Sequence, residues 1–246
     1  MTASKENLAV LTQFRQDFAI IADWVKLGSK VLDLGCGDGS LLYFLQGSLE
    51  VRGYGVEKDD ANWLACMGTG INVIQMDLEA GLSGFEAQSF DTVILSQTLQ
   101  AMHNTEGIVQ EMLRVGHEAI VTFPNFGYWR HRMQVVAGQM PVSENLPYQW
   151  YDTPNVHLCT INDFEQFCAE HNIRIEERRV LTTYFFSNAA AITIPAGAPG
   201  TTIGPATPYS SNIAVAGLTG NITGVTATVS NYSHTFEGDV GILLQA

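Results

Sequence analysis

The residues best placed for chemistry lie between Val31 and Leu42, where VLDLGCGDGSLL joins an apolar run to a helical pattern through glycines flanked by carboxylates. Gly35, Gly37 and Gly39 supply the small residues that let backbone approach a ligand at a strand-to-helix turn. The acids beside them choose the ligand. A dinucleotide brings a pyrophosphate, which favours bare N–H groups and a helix N-terminus, and Asp33 and Asp38 would repel it. S-adenosylmethionine carries a sulfonium and an ammonium group and no phosphate, so the same carboxylates attract it. The dinucleotide fingerprint is also incomplete, because Ser40 stands where its third glycine belongs.

Three further polar clusters close apolar runs. Val51–Val56 ends on Glu57, placed to accept hydrogen bonds from ribose hydroxyls, with Lys58 following. The run at 71–74 ends in Gln75-Met76-Asp77-Leu78, which could reach an adenine edge. The run Phe90–Leu95 ends in Ser96-Gln97-Thr98. Ligands of open parallel sheets bind at the carboxyl ends of strands, and all four clusters fall there. Cys36 lacks a histidine nearby in sequence and reads as a small side chain in the turn, not a nucleophile.

These clusters need a scaffold. Apolar runs alternating with helical patterns up to about residue 180 predict a parallel sheet covered on both faces. Leu11, Phe14, Phe18, Ile21 and Trp24 mark an amphipathic helix over 7–25. Further helices are expected at 41–45, at 60–67 behind a capping carboxylate in Lys58-Asp59-Asp60, at 108–115, and at 160–171 capped near Asn162 or Asp163. A fifth strand is expected at 119–123, stopped by Pro124, and a sixth at 173–180. Between them lies a stretch dense in aromatics, prolines and amides. Its Asn125, Trp129, Arg130, Tyr148, Trp150, Tyr151, Asp152 and His157 could line a substrate pocket or form a docking face.

Composition narrows the function class. A formal charge of −13 and no basic stripe argue against a nucleic-acid partner. No uncharged apolar run is long enough to cross a bilayer, and the opening MTASKENLAV lacks the pattern of a secretory signal. Cys36, Cys66, Cys159 and Cys168 lack CxxC spacing, as expected of reduced thiols in a cytoplasm, and offer no zinc site. After Arg179 there is no Lys or Arg, and Ser, Thr, Gly, Ala and Asn dominate. Short segments there, at 212–215, 225–229 and 240–244, carry the alternation of an antiparallel β-sandwich.

From about Gln13 to Arg179 the chain resembles the MetW family of methionine biosynthesis proteins, on GSKVLDLGCGDGSLL, GYGVE, NVIQMDLE, SFDTVILSQTLQA, EMLRVG, FPNFGYWRHR, MPVSENLPYQWYDTPNVHLCT and DFEQFC. The resemblance implies a Rossmann-like class I methyltransferase fold, a three-layer αβα sandwich with a mainly parallel, seven-stranded sheet, over residues 1–186. It further implies that S-adenosylmethionine or S-adenosylhomocysteine binds at Asp33, Gly35, Gly37, Glu57, Asp77 and Ser96, and that the protein supports homoserine O-acyltransferase. The alternative is a methyltransferase acting on a small molecule, with His103, His157 or Tyr148 as the available bases. SQTLQ lacks the Asn/Asp-Pro-Pro-aromatic motif of amino-group methylation on nucleobases.

Such chains finish with a strand inserted antiparallel between the fifth and sixth, and here that segment reads as missing or replaced. From about Ser187 the sequence resembles the start of a proprotein convertase P-like β-sandwich, as in a chimeric reading frame. Residues 187–246 are accordingly expected to form a short, non-functional β-rich segment, with 191–194 at best mimicking the missing strand.

Overall fold

The computed structural model describes residues 16–143, 146–181, 191–192, 212–213 and 239–245. Two compact units divide the chain: Met1–Thr182 with Thr235–Ala246, and Thr183–His234. In the first, β1 (Lys30–Leu34), β2 (Arg52–Glu57), β3 (Asn72–Gln75), β4 (Phe90–Ser96), β5 (Gly116–Pro124), β6 (Arg174–Leu181) and β9 (Asp239–Gln245) form one sheet of order β3-β2-β1-β4-β5-β9-β6. In the second, β7 (Ala191–Ile192) pairs in parallel with β8 (Asn212–Ile213).

Strands β1 to β5 run parallel and are covered on both faces, so β1 is almost wholly buried. The alternation of side chains sorts β1 between two cores. Leu32 and Leu34 pack with Ile108, Val109, Met112 and Val115 of α4 (Thr105–Val115) and with Phe164 of α6 (Ile161–Glu170). Val31 packs in the other core, with Phe18, Ile21 and Trp24 of α1 (Gln16–Trp24) and Leu41, Leu42 and Leu45 of α2 (Ser40–Leu49). Expected elements recur with ends moved by at most four residues, and α1 is described only from Gln16.

Local chemistry sets the helix starts. Asp59 accepts from the N–H groups of Ala61 and Asn62 to cap α3 (Asp60–Thr69), and Asn104 accepts from Gly107 N–H at α4. At α6 the cap is Thr160, not Asn162 or Asp163. Asp163 instead completes a capping box by accepting from the Thr160 N–H.

The C-terminal expectation is overturned. The strand taken as missing is β9, antiparallel to β5 on one side and to β6 on the other, with Val121 opposite Ile242 and Arg178 opposite the same residue. Leu244 is fully buried in the main core. Residues 191–192 therefore do not mimic that strand, and 240–244 belongs to the main sheet, not to a sandwich. The rest of the P-like resemblance, apart from the β7–β8 bridge, lies outside the described residues. The chain reaches β9 after a long excursion because β5 and β6 would otherwise face each other with unpaired edges, and an apolar strand satisfies both.

Replacing Leu244 with alanine should cost about 2–4 kcal/mol of stability by opening a cavity next to β5. Urea unfolding measures this, and a change under ~0.5 kcal/mol would mean that β9 does not pack as described.

Candidate functional site

The strand order reverses between β1 and β4, and the crevice beyond their carboxyl ends is where open α/β sheets hold ligands. The β1–α2 loop enters this crevice from one side. Gly35 has φ +70, and a Cβ there would lie 2.9 Å from the Thr98 side chain on the loop after β4. Any other residue would both strain the backbone and displace the Thr98 side chain. Gly37 also has positive φ, but a Cβ there would meet nothing within 4 Å, so the loop presents bare backbone to open space.

Hydrogen bonds stitch this loop to the end of β2. Gly35 and Cys36 N–H donate to Val56 O, at 2.8 and 3.1 Å, and Gly37 N–H donates to Glu57 Oε2 at 2.9 Å. Glu57 Oε1 accepts from Lys58 and Asp59 N–H, each at 2.8 Å. Beneath the loop Asp33 is 2 % exposed. Asp38, expected beside the ligand, instead accepts from the N–H and hydroxyl of Ser40 at the start of α2.

The remaining clusters stand at the neighbouring strand ends. Asp77 Oδ2 pairs with Lys58 Nζ at 2.6 Å, which holds the carboxyl below its ordinary value, while Oδ1 accepts from Glu79 N–H. Gln75 donates to Asp60 at 2.5 Å. Leu78 is buried in the core and Met76 packs against it. After β4, Ser96 Oγ lies 3.1 Å from Thr122 Oγ1, and Gln97, at φ +53, donates its N–H to Thr122 O and Oγ1. Thr122 gave no signal in an apolar run, although its alternation with Val121 and Phe123 is that of a strand face.

The Cys36 thiol sits 3.8 Å from that of Cys66, which donates to Gly37 O. Burial, reinforced by Asp33, pushes the Cys36 thiol far up, so it is a buried packing group and an inert nucleophile.

The aromatic segment forms a separate shelf beyond β5. Asn125 is buried in a turn, accepting from Gly127 N–H through its side chain and from Tyr128 N–H through its carbonyl. His131 of α5 (Trp129–Val136), not singled out by sequence, is buried with Nδ1 3.2 Å from Asn125 O and Nε2 2.9 Å from Ser143 Oγ. Trp150 and Tyr151 are in edge-to-face contact and largely exposed, and the Arg130 guanidinium lies over Trp129. Asp152 accepts from Gln149 N–H. His157 Nε2 is 3.4 Å from His103 O, so two of the candidate bases adjoin, whereas Tyr148 lies on the shelf. Among the described residues no cluster has the makings of a metal site.

A sheet of this order with its glycine loop at the switch point defines a Rossmann-like methyltransferase fold. A SAM-dependent methyltransferase from Archaeoglobus fulgidus shares it over 97% of this chain and 94% of its own, at TM-score 0.54 and 14% identity. One from Thermotoga maritima, a possible histamine N-methyltransferase, does so over 98% and 95%, at TM-score 0.53 and 16% identity. Within that class, residues 15–195 match the family described as "Methionine biosynthesis protein MetW", and the chain belongs to it. A bifunctional methionine biosynthesis protein MetXA/MetW from Rhodopirellula baltica is 40% identical over 167 residues, which is 64% of this chain. The match spans 27% of that relative, about a quarter of its length.

Gly35→Ala should destabilise the protein by at least ~1 kcal/mol, from positive φ together with the Thr98 contact, read as a lowered urea midpoint. His131 offers a pH test. Burial holds its imidazole below the ordinary 6.5, so the unfolded chain binds the proton first. Its contribution is complete above pH 6.5 and is lost as pH falls through the lower folded value. Chemical denaturation between pH 7.5 and 5 should show stability declining toward acid, with a shallower slope in His131→Gln; an identical slope would exclude burial of a neutral imidazole.

Proposed function

We propose that the crevice binds S-adenosylmethionine, or S-adenosylhomocysteine, and that the bound protein supports homoserine O-acyltransferase in methionine synthesis. The observation that carries the first part is the convergence of Asp33, Glu57 and Asp77 at the ends of three adjacent strands around bare glycine backbone. Three carboxylates favour a cationic ligand and oppose a pyrophosphate. In this reading Asp33 stabilises the ligand's ammonium group through the loop formed by Gly35, Cys36, Gly37 and Gly39. Glu57 has lone pairs left for ribose hydroxyls after accepting its three N–H groups. Asp77 shares its carboxylate between Lys58 and the adenine amine, with Gln75, Met76 and Leu78 along that edge. Ser96 and Gln97 close the far side.

The second part is supported by family membership and by the relative in which MetXA and MetW parts share one polypeptide. Binding can regulate a partner only if the ligand prefers one conformation, and the loop between β1 and β2 is the element it would bias. We place this activity in the cytoplasm; no described helix is long and apolar enough to cross a membrane.

Calorimetric titration should show S-adenosylmethionine binding in the micromolar range, weakened at least about tenfold by Glu57→Ala through loss of charge-assisted hydrogen bonds. NAD and ATP should give no binding heat. Tight uptake of either, with no response to S-adenosylmethionine, would refute the cofactor assignment. Adding the protein to an acyltransferase assay should raise its rate, and an unchanged rate would remove the partner role.

A further inference from the structure

We infer that the aromatic shelf after β5 is the surface on which homoserine O-acyltransferase docks, an inference that rests on the partner reading above. The shelf carries Trp129, Tyr148, Trp150 and Tyr151 at 38, 46, 72 and 71 % exposure. At roughly 200 Å² per side chain this leaves about 450 Å² of aromatic surface in water. That is more than half of the ~800 Å² one side of a stable interface buries, before Met133, Val136 and Met140 are added. Exposed tryptophan and tyrosine in a cluster are the side chains that dominate binding energies. Beside them a shallow cleft lined by Phe126, Pro141, Leu146 and Leu158 could receive an apolar side chain.

The shelf is rigid. His131 bonds to both Asn125 O and Ser143 Oγ, and Gln134 exchanges two hydrogen bonds with the backbone of Val142. Phe126 N–H donates to Cys159 O, so the two ends of the segment are tied together. A surface held in place before binding loses little entropy on docking. Its charge is also distinct. Over 123–159 Arg130 and Arg132 balance Glu144 and Asp152, so the segment is formally neutral in a molecule of charge −13.

The occupant is identified by covalent linkage in a relative, where MetXA and MetW parts occupy one chain and so face each other at high effective concentration. The location also serves regulation. Val156 and His157 N–H groups donate to Gln100 O, the Gln100 side chain donates to Gln97 O, and Gln97 is bonded to Thr122 at the crevice. The loop after β4 is thus linked to the shelf through the Gln100 carbonyl and side chain.

The test is to titrate the full chain with the homoserine O-acyltransferase of the same genome. The unaltered chain should form a complex, and the double variant Trp150→Ala, Tyr151→Ala should lose at least about 30-fold in affinity. Its melting temperature and S-adenosylmethionine affinity should not change, and Leu64→Ala, an exposed apolar residue on α3, should bind normally. If the double variant binds as tightly as the unaltered chain, the shelf inference falls while the partnership stands. If the unaltered chain forms no complex, both fall. If the double substitution converts a dimer to a monomer without affecting acyltransferase affinity, the shelf belongs to a second copy and the inference is overturned.

Discussion

The site depends on the seam between the β1–α2 loop and the end of β2. Gly35 and Cys36 share the Val56 carbonyl, and Gly37 gives its N–H to Glu57. The seam closes only because β1 and β2 are parallel neighbours in register, which brings Leu34 opposite Val56. Loop N–H groups that would otherwise be orphaned are thereby satisfied, while the upper face of Gly37 stays open. The acid at the end of β2 shapes the loop, one oxygen accepting from Gly37 N–H while the other takes the N–H groups of Lys58 and Asp59.

Opposite the seam, β4 and β5 set the other wall. Thr122 accepts from Gln97 and lies against Ser96, fixing the left-handed turn that starts the loop after β4. Thr98 then fills the space under Gly35 that a side chain would need. The crevice is thus bounded by polar groups whose positions are determined by sheet hydrogen bonds, the stiffest part of the fold.

On the far edge, β9 completes the sheet after 57 intervening residues, from Leu181 at the end of β6 to Asp239 at the start of β9. The distance matters little thermodynamically, since loop-closure entropy grows only logarithmically with length. Two unpaired edges inside one core matter greatly.

Much of the fold was legible along the chain because its signals are local. Strand ends at Glu57, Gln75 and Ser96, the glycine turn, and the stripe Ile108, Val109, Met112, Val115 each follow from periodicity within a few residues. The cap of α6 was misplaced because Thr160, Asn162 and Asp163 are all capping residues, and only the observed bonds separate them. The segment 240–244 was correctly read as a strand, within the observed 239–245, yet its neighbours were not, because an apolar strand carries no mark of which edge it will join. The same holds for Cys66 under Gly37, Thr98 under Gly35 and His131 beneath the shelf: each is specified by a contact across the fold. Residue types and spacing were sufficient for the class of fold, which is a matter of local period. Partners across the sheet, and the loops' exact seats, were settled by packing and hydrogen-bond satisfaction, which exist only once distant segments meet.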